Sequence, residues 1–313
     1  MSRASNTEST AAAPAGESAP APQRPRKPRP SRTWRQLRAA GMRVMGAVLL
    51  HLLLLLLAVL TLIPLVWLVA GSFKSEGDLF TYMFFPPLER LTMENIHGLF
   101  DEIPFIRVAA NSLFVAGATV ILQLFFSSLG GFALARYEFR GKRTIMTLML
   151  LTMMIPAQVL LAPLYELIQN MGLMDTLAGL IVPSIVSVFG MFLFRQSMLH
   201  IPDELLQAGR VDGCSEFRLY WNIALPVSRP MVGAFCLIAF MMNWNSFLWP
   251  QIILHSGHNF TLPIALTQQV GLYEQNYGVM LAGTLLSILP VVILFLILQR
   301  EFIAGLTSGA VKG

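Results

Sequence analysis

The sequence predicts an all-α membrane protein with six transmembrane helices, and two observations lead to this fold class. The 313 residues are 55% hydrophobic and only 12% charged, with a mean hydropathy of +0.63. A soluble domain carries about 25% charged residues, so this chain has too little charge to cover a water-exposed surface. Apolar runs of spanning length also recur six times, and about 20 apolar residues suffice for a helix to cross the hydrocarbon core.

The six apolar runs fill most of the chain after residue 40. In order, they are predicted at Val44–Ala70, Asn111–Leu134, Thr144–Leu164, Leu177–Phe194, Met231–Leu254 and Val279–Leu298. Prolines interrupt the third run at Pro156 and Pro163 and the fourth at Pro183. These two runs could form one re-entrant pair, but each is long enough to cross, and packed membrane helices tolerate proline. We therefore predict six crossings.

Residues 1–40 differ in composition from the rest and are predicted to be a disordered basic tail. They are built mainly from Ala, Pro, Ser, Thr and Arg and contain almost no large apolar residue. Such a segment cannot bury enough surface to offset its chain entropy. Its basic residues could indicate nucleic-acid binding. Because they directly precede an apolar run, we expect them to hold the tail in the cytoplasm, near anionic membrane lipid, with no nucleic-acid partner.

The distribution of Lys and Arg predicts the orientation in the membrane. Of 22 such residues, 19 fall in the tail, in the Arg136–Arg143 and Arg195–Arg229 loops, or after the last run. Only Lys74, Arg90 and Arg107 fall on the other side. The positive-inside rule then places both termini of a multi-pass protein in the cytoplasm.

The chain shows no energy source of its own for solute transport. Its predicted spans are nearly free of ionisable residues, which proton-driven and sodium-driven carriers usually need. The Gly141-Lys142 pair is followed by Arg143 and lacks the earlier glycine of a P-loop. Cys214 and Cys236 form no metal-ligand pattern, and no catalytic or metal-binding residue is predicted. If this protein moves solute uphill, another subunit must supply the energy.

The loop at residues 196–230 predicts a helix-turn-helix, here called the knob. Pro202 suits the first turn of a helix, and Gly213 allows a turn with positive φ. Ser215 can cap a second helix, Glu216 to Ile223, which Pro226 would stop. Leu205, Ala208 and Gly209 share one face of the first helix, which a partner could approach closely.

The knob resembles the EAA loop of inner-membrane permease subunits of bacterial ABC importers. That loop reads Glu-Ala-Ala, three residues, Gly, nine residues, Ile-x-Leu-Pro, whereas this chain has Gln207-Ala208-Gly209, then Gly213, Ile223 and Leu225-Pro226. Gln207 replaces the glutamate of the pattern, and Gly209 replaces its second alanine. The resemblance implies a location in the bacterial cytoplasmic (inner) membrane and an ATPase subunit that docks on this loop. The implied coupling residues are Glu204, Gln207, Ala208, Gly209, Asp212, Gly213, Ile223, Leu225 and Pro226.

Further segments resemble carbohydrate-importer permeases of the maltose type, from about residue 40 to the end. They are Ser72-Phe73-Lys74, Phe85-Pro86-Pro87, Thr92-x-Glu94-Asn95, Asn111-Ser112-Leu113, Asn243–Pro250 and Gly305–Gly313. The resemblance implies a type I importer permease fold over residues 41–313. The implied partners are a second permease, two cytosolic ATPases that bind ATP and Mg²⁺, and an external binding protein that delivers sugar. It also implies that the C-terminal segment reaches between the ATPases, although a frayed end is the alternative.

The sugar path is far less determined by the sequence. The candidate path residues are polar residues of the predicted spans: Asn111, Gln123, Gln158, Asn243 and Asn245. Such side chains could bind sugar hydroxyls, or they could join helices to one another. Two other hypotheses stay open at this point. Close relatives of sugar permeases carry glycerol phosphate, and a secondary carrier or channel would share the six spans but would not need the knob.

Overall fold

The computed structural model describes residues 32–269 and 276–307, and within them the protein is helical with no β-strand. The chain divides into two compact units between Leu60 and Thr61. The helices up to residue 200 are α1 Arg32–Ser72, α2 Glu94–Glu102, α3 Phe105–Arg136, α4 Lys142–Thr152, α5 Leu161–Asn170, α6 Leu177–Ile181 and α7 Val188–Met198. The later helices are α8 Asp203–Val211, α9 Glu216–Leu219, α10 Leu225–Val227, α11 Arg229–Trp244, α12 Leu248–Ile253, α13 Leu262–Thr267 and α14 Tyr277–Thr307.

The first unit is described from Arg32 to Leu60, and all of it belongs to α1. The sequence predicted disorder up to residue 40, and this boundary is wrong, because the helix already begins at Arg32. Ala, Leu, Arg and Gln dominate residues 32–40, and these residues have high helix propensity. The rest of the predicted tail, residues 1–31, lies outside the described residues.

The second unit is built around α3, α7, α11 and α14. The helix α3 packs along both α7 and α11, and α11 packs along α14. Gly131 makes the α3–α7 approach close, since a Cβ atom there would lie 2.6 Å from Cβ of Phe194. Small residues at such crossings let two membrane helices pack backbone to backbone. Phe194, Phe235 and Trp244 are fully or almost fully buried in the resulting core.

Three helices are long and apolar enough to cross a membrane: Ala39–Ser72 within α1, α3, and Tyr277–Gly305 within α14. These confirm the first, second and sixth predicted runs as continuous helices. Three further pairs of helices qualify only if each pair forms one bent span. The described residues therefore contain three clear spans, or up to six.

The third and fourth predicted runs are broken near their prolines. After α4 the chain bends by 96° and continues as a 3₁₀ turn at Ala157–Leu160 and then α5. The fourth run bends by 44° between the 3₁₀ turn Val182–Ser184 and α7. Pro156 and Pro183 lack the amide hydrogen that a continuous helix needs, which accounts for breaks at these positions.

The fifth predicted run, Met231–Leu254, is not one helix. The helix α11 ends at Trp244, and the short α12 begins only at Leu248. Side-chain amides of Asn243 and Asn245 donate to the carbonyls of Ala239 and Met241, four residues earlier. Asn and Ser side chains compete with the backbone for its hydrogen bonds, so an Asn-Trp-Asn-Ser segment ends the helix more readily than its apolar flanks suggest.

Candidate functional site

The knob forms the helix-turn-helix that the sequence predicts, from Pro202 to Ser228. Pro202 precedes α8 as its N-cap residue, and Asp203 and Glu204 lie in the first turn. Gly213 joins the two helices with φ of +78°, which a side chain with a Cβ atom would adopt only under strain. The Ser215 hydroxyl accepts a hydrogen bond from the Arg218 amide and caps α9. These local predictions are confirmed.

The second knob helix does not stop at Pro226, so that prediction is wrong. It continues through a π turn at Tyr220–Ala224 into α10 and ends at Val227, with Ser228 as its C-cap residue. The wider π turn gives the Pro226 ring room where the carbonyl four residues earlier would press on it in an α-helix. The chain then turns by 80° into α11. Pro226 therefore belongs to the bend between the knob and α11.

The outward face of α8 differs from the predicted face at Gly209. Leu205 and Ala208 are exposed as expected, but Gly209 is buried against the second knob helix. A Cβ atom at Gly209 would lie 2.5 Å from Cδ2 of Leu219 and 2.9 Å from Cδ1 of Ile223. Gly209 therefore lets the two knob helices pack closely and is not part of the exposed face.

The remaining implied coupling residues divide between the surface and the interior of the knob. Glu204, Gln207, Asp212, Gly213 and Pro226 are exposed, whereas Ile223 and Leu225 are half-buried and pack against the core. Large apolar side chains also reach the surface, with Val211 88% exposed and the stacked rings of Phe217 and Trp221 about half exposed. The knob thus presents large apolar groups, beside the charged Glu204 and Asp212, that nothing in the described chain covers.

Two adjacent residues at the end of α3 hold both knob helices, and no pattern in the sequence indicates this arrangement. The Arg136 guanidinium donates to Oδ1 of Asp203 at 2.6 Å and to the carbonyls of Met198 and Ile201. The Arg136 side chain is only 8% exposed but that of Asp203 is 74% exposed, so only the arginine end of this ion pair is shielded from water. Arg136 thereby joins α3 to the end of α7 and to the start of α8.

Tyr137 makes the corresponding contact to the second knob helix. Its hydroxyl donates to Oε2 of Glu216, and the Arg210 Nε atom donates to the other carboxylate oxygen at 2.8 Å. Burial, together with the Glu216 carboxylate, raises the pKa of Tyr137 to about 12, so the hydroxyl keeps its proton as a donor. We call Arg136 and Tyr137 the α3 clamp. Deeper in the unit, the Ser128 and Tyr220 hydroxyls are hydrogen-bonded to each other at 2.7 Å.

The structure does not bring the candidate path residues together. Asn111 donates to the carbonyls of His258 and Phe260, both at 3.0 Å, and Gln123 donates to the carbonyl of Ser184 at 2.7 Å. These amides join separate segments of the chain, which is the helix-joining role left open by the sequence. Gln158 and Asn245 are exposed.

Only Asn243 among the candidate path residues lines a polar cavity, of about 30 Å³. Ser112, Ser246 and Thr261 also line this cavity. The Thr261 hydroxyl and the Trp249 indole nitrogen are buried there and have no hydrogen-bond partner in the described chain. The volume suits about two water molecules and is far too small for a sugar ring.

Two further polar contacts give structural roles to Asn95 and Lys74, which belong to segments that resemble carbohydrate-importer permeases. The Asn95 amide donates to the carbonyls of Gly71, Ser72 and Lys74 and so caps the end of α1. Lys74 is fully buried and donates to the carbonyl of Tyr82 at 2.6 Å, while burial lowers its pKa. Among residues 32–269 and 276–307, no group of His, Cys, Asp or Glu side chains could hold a metal ion.

Comparison with known proteins identifies the family. The family model described as "binding-protein-dependent transport system inner membrane component" matches residues 127–300, which include the knob and the α3 clamp. The arabinooligosaccharides transport system permease protein AraQ of Halalkalibacterium halodurans is 39% identical over 251 residues, covering 79% of this chain and 89% of AraQ. The lactose transport system permease protein LacG of Rhizobium radiobacter is 35% identical, covering 70% and 80%. The sn-glycerol-3-phosphate transport system permease protein UgpE of Shigella flexneri serotype 5b is 31% identical, covering 69% and 80%.

A solved structure supports the same fold. A chain of a bacterial ABC transporter involved in the import of the acidic polysaccharide alginate matches with a TM-score of 0.72 and 21% identity, covering 88% of this chain and all of that one. The expected ABC importer permease fold is therefore confirmed. With more than half of its length matched by the family model, the chain belongs to the binding-protein-dependent transport system inner membrane components.

Proposed function

We propose that this chain is the permease subunit of an ATP-driven importer that moves a sugar, most simply an oligosaccharide, across the cytoplasmic membrane. The observation that carries the proposal is the knob itself. It is a rigid helix pair, internally packed at Gly209, fastened to α3, and exposing apolar groups that the described chain leaves uncovered. A family member with no nucleotide-binding motif needs such a surface to receive force from an ATPase.

The proposed assembly contains a second permease, two cytosolic ATPases that carry ATP and Mg²⁺, and an external binding protein. The implied coupling residues at the knob surface are Glu204, Gln207, Ala208, Asp212, Gly213 and Pro226, and the half-buried Ile223 and Leu225 support them from the interior. We place Gly209 in the supporting group because it is buried. Closure of the ATPases would move both knobs, and the helices attached to them would switch the pathway between inward and outward access.

The α3 clamp connects the knob to the membrane-spanning helices, so a movement of the knob would move those helices. The knob is continuous with α11 through the π turn and α10, and Arg136 and Tyr137 hold it to α3. A displacement of the knob is thus transmitted to α3 and α11, which pack against each other. We propose that these two helices move with the knob when the pathway switches.

The sugar proposal is supported by relatives and by the chemistry of the chain. AraQ and LacG are named for sugar transport, and AraQ is more similar to this chain than UgpE is. A phosphate substrate would favour a basic residue in the path, and the predicted spans are nearly free of ionisable residues. Because the cavity cannot hold a sugar ring, we place the sugar path between this chain and the second permease.

The test of ATPase docking uses the exposed face of α8. Ala208→Asp adds bulk and charge at a surface position, where it disturbs no internal contact. We expect the wild-type chain, co-expressed with candidate permease and ATPase subunits of the same genome, to retain the ATPase during purification. We expect Ala208→Asp to lose most of it, because a desolvated unpaired carboxylate is costly in an interface.

Gln207→Glu is the matched control for this experiment. It adds one negative charge at the neighbouring exposed position, but there it restores the glutamate of the EAA pattern. This variant should retain the ATPase as well as the wild type does. Retention of the ATPase by a folded Ala208→Asp variant, or no ATPase on the wild type with any candidate subunits, would contradict the proposed docking.

A further inference from the structure

A basic groove lies beside the N-terminus of α4, away from the knob residues assigned to ATPase docking. It has a volume of about 590 Å³ and is open to one side. Lys142, Arg143 and Arg195 line it, together with Glu138. The Lys142 ammonium pairs with the Glu138 carboxylate at 2.8 Å, but that carboxylate is 89% exposed at the rim. Three cations and one anion leave the groove with a net positive charge.

Two features of the groove suit an anion. The Arg195 side chain lines the groove and makes no hydrogen bond or ion pair in the described chain, although its Nε atom itself is enclosed by the protein. The helix α4, 11 residues long, begins after Gly141, which has no side chain to cap the first amides. The Lys142 amide donates to the carbonyl of Phe139, but the helix dipole and the lack of a side-chain cap at such a start still favour a negative charge. Both observations are independent of the number of basic residues.

An apolar cleft continues the groove along α4. The two share Met146, Leu150 and Arg195, and the cleft is otherwise lined by apolar side chains such as Met149 and Phe192. The space in the cleft is only about 10 Å³, so it offers an apolar face and has no room for a second polar group. A ligand that suits both parts has an anionic head in the groove and a hydrocarbon chain that lies over the cleft, against its apolar side chains.

We propose that this groove binds the headgroup of an anionic phospholipid, with an acyl chain lying along the apolar cleft of α4 and α7. Basic pockets at the ends of membrane helices suit such headgroups, because they combine charge with contact to the bilayer. The bound lipid would neutralise Arg195 at the end of α7, the helix that leads into the knob. This site is independent of the identity of the transported solute.

The test measures lipid binding to the purified full-length chain by native mass spectrometry. We expect phosphatidylglycerol to bind in preference to phosphatidylcholine. Arg143→Gln should weaken phosphatidylglycerol binding about fivefold, the typical contribution of one basic residue near a membrane surface. Arg143 is exposed, so this variant is expected to fold. Arg195→Gln should weaken binding at least as much, provided that its melting temperature matches the wild type.

Arg140→Gln is the matched control, because Arg140 lies in the same loop and is exposed but does not line the groove. It should leave phosphatidylglycerol binding unchanged. Equal losses in the Arg140 and Arg143 variants would indicate general electrostatic attraction and would overturn the proposal. Displacement of the lipid by millimolar inorganic phosphate would also overturn it, since the groove would then be a site for free phosphate. Equal binding of the two lipids would have the same consequence.

Discussion

Asp175 joins two loops through nearly every polar atom it has. Its carboxylate accepts hydrogen bonds from the amides of His255 and Ser256, at 2.9 and 3.0 Å, and from the Ser256 hydroxyl. Its own carbonyl accepts from the Asn259 amide at 2.6 Å. The residue adopts φ of 54°, a left-handed conformation that Asp tolerates better than most residues. These bonds hold the pKa of Asp175 well below its usual range, the Ser256 hydroxyl contributing most.

Asp175→Asn should therefore destabilise the protein at neutral pH and lose this effect in acid. Removing the charge weakens three hydrogen bonds, and we expect a loss of about 1 kcal/mol, or roughly 2–4 °C in melting temperature. The folded-state pKa is depressed, so the contribution is fully present above the unfolded pKa of about 3.9, begins to decline as pH falls below that value, and is lost only as pH falls through the lower folded-state pKa. Melting curves in detergent between pH 7 and pH 3 measure this difference.

Asp101→Asn is the control for the Asp175 variant, since Asp101 is exposed on α2 and makes no side-chain hydrogen bond in the described chain. Its melting temperature should follow the wild type at each pH. An Asp175→Asn deficit that stays constant from pH 7 to pH 3 would show that the carboxylate charge is not the source of the stabilisation.

At the level of single residues, the sequence predicts local roles well and distant roles poorly. Pro202, Gly213 and Ser215 act on their own neighbours, and their helix-start, turn and cap roles follow from residue type. Asn95 was noticed only as part of a resemblance. Its function as a cap for α1 depends on carbonyls more than 20 residues earlier, and no pattern in one sequence indicates that contact.

At the level of helices, the α3 clamp fixes the position of the knob relative to α3. Arg136 and Asp203 are 67 residues apart in the chain, and Tyr137 and Glu216 are 79 apart. The sequence marked Arg136 only as one of several cations in a loop, since its partners come together only when α3, α7 and the knob are packed. The knob itself was predictable because its turn and caps are local.

Tyr137→Phe should loosen the knob without unfolding it. The ring keeps its edge-to-face contact with Phe132, at 5.9 Å between ring centres, while the hydrogen bond to Glu216 is lost. We expect a cost of about 1 kcal/mol at this contact, or about a fivefold shift in an equilibrium that depends on it. In the assembled transporter, basal ATP hydrolysis should persist, and its stimulation by the loaded binding protein should fall several-fold.

Tyr165→Phe provides the comparison for the clamp variant. The Tyr165 hydroxyl makes no hydrogen bond in the described chain, so its removal should change neither basal nor stimulated hydrolysis. Full stimulation in Tyr137→Phe, at unchanged protein level, would mean that the clamp does not transmit movement from the knob. Loss of ATPase binding in that variant would instead assign Tyr137 to docking.

At the level of the whole molecule, composition predicted the membrane class and the apolar runs predicted where helices lie. Neither composition nor the apolar runs predict how the third, fourth and fifth runs are broken. Pro156 and Pro183 indicate that a break is near, but the bends of 96° and 44° are set by what each half packs against. The end of α11 depends on Asn243 and Asn245 turning back to their own helix, which hydropathy does not register.

The number of crossings can be tested at α4 and α5, where six crossings and a re-entrant loop differ. Arg140 precedes α4 and Met171 follows α5, and both are exposed. If the bent pair crosses the membrane, these two residues face opposite sides. In a variant with Cys214 and Cys236 replaced, Met171→Cys should react with a membrane-impermeant maleimide added to intact spheroplasts. Arg140→Cys should react only after permeabilisation, because positive residues are retained in the cytoplasm.

Glu89→Cys sets the reference for the external side, because Glu89 is exposed in the segment between α1 and α2, where Lys and Arg are sparse. It should be labelled in the same intact spheroplasts as Met171→Cys. Labelling of Glu89→Cys with neither Arg140→Cys nor Met171→Cys would make α4 and α5 a re-entrant pair entering from the cytoplasm. If Met171→Cys is labelled like Glu89→Cys and Arg140→Cys is not, α4 and α5 form a bent third span. The basic groove would then lie at the cytoplasmic end of that span.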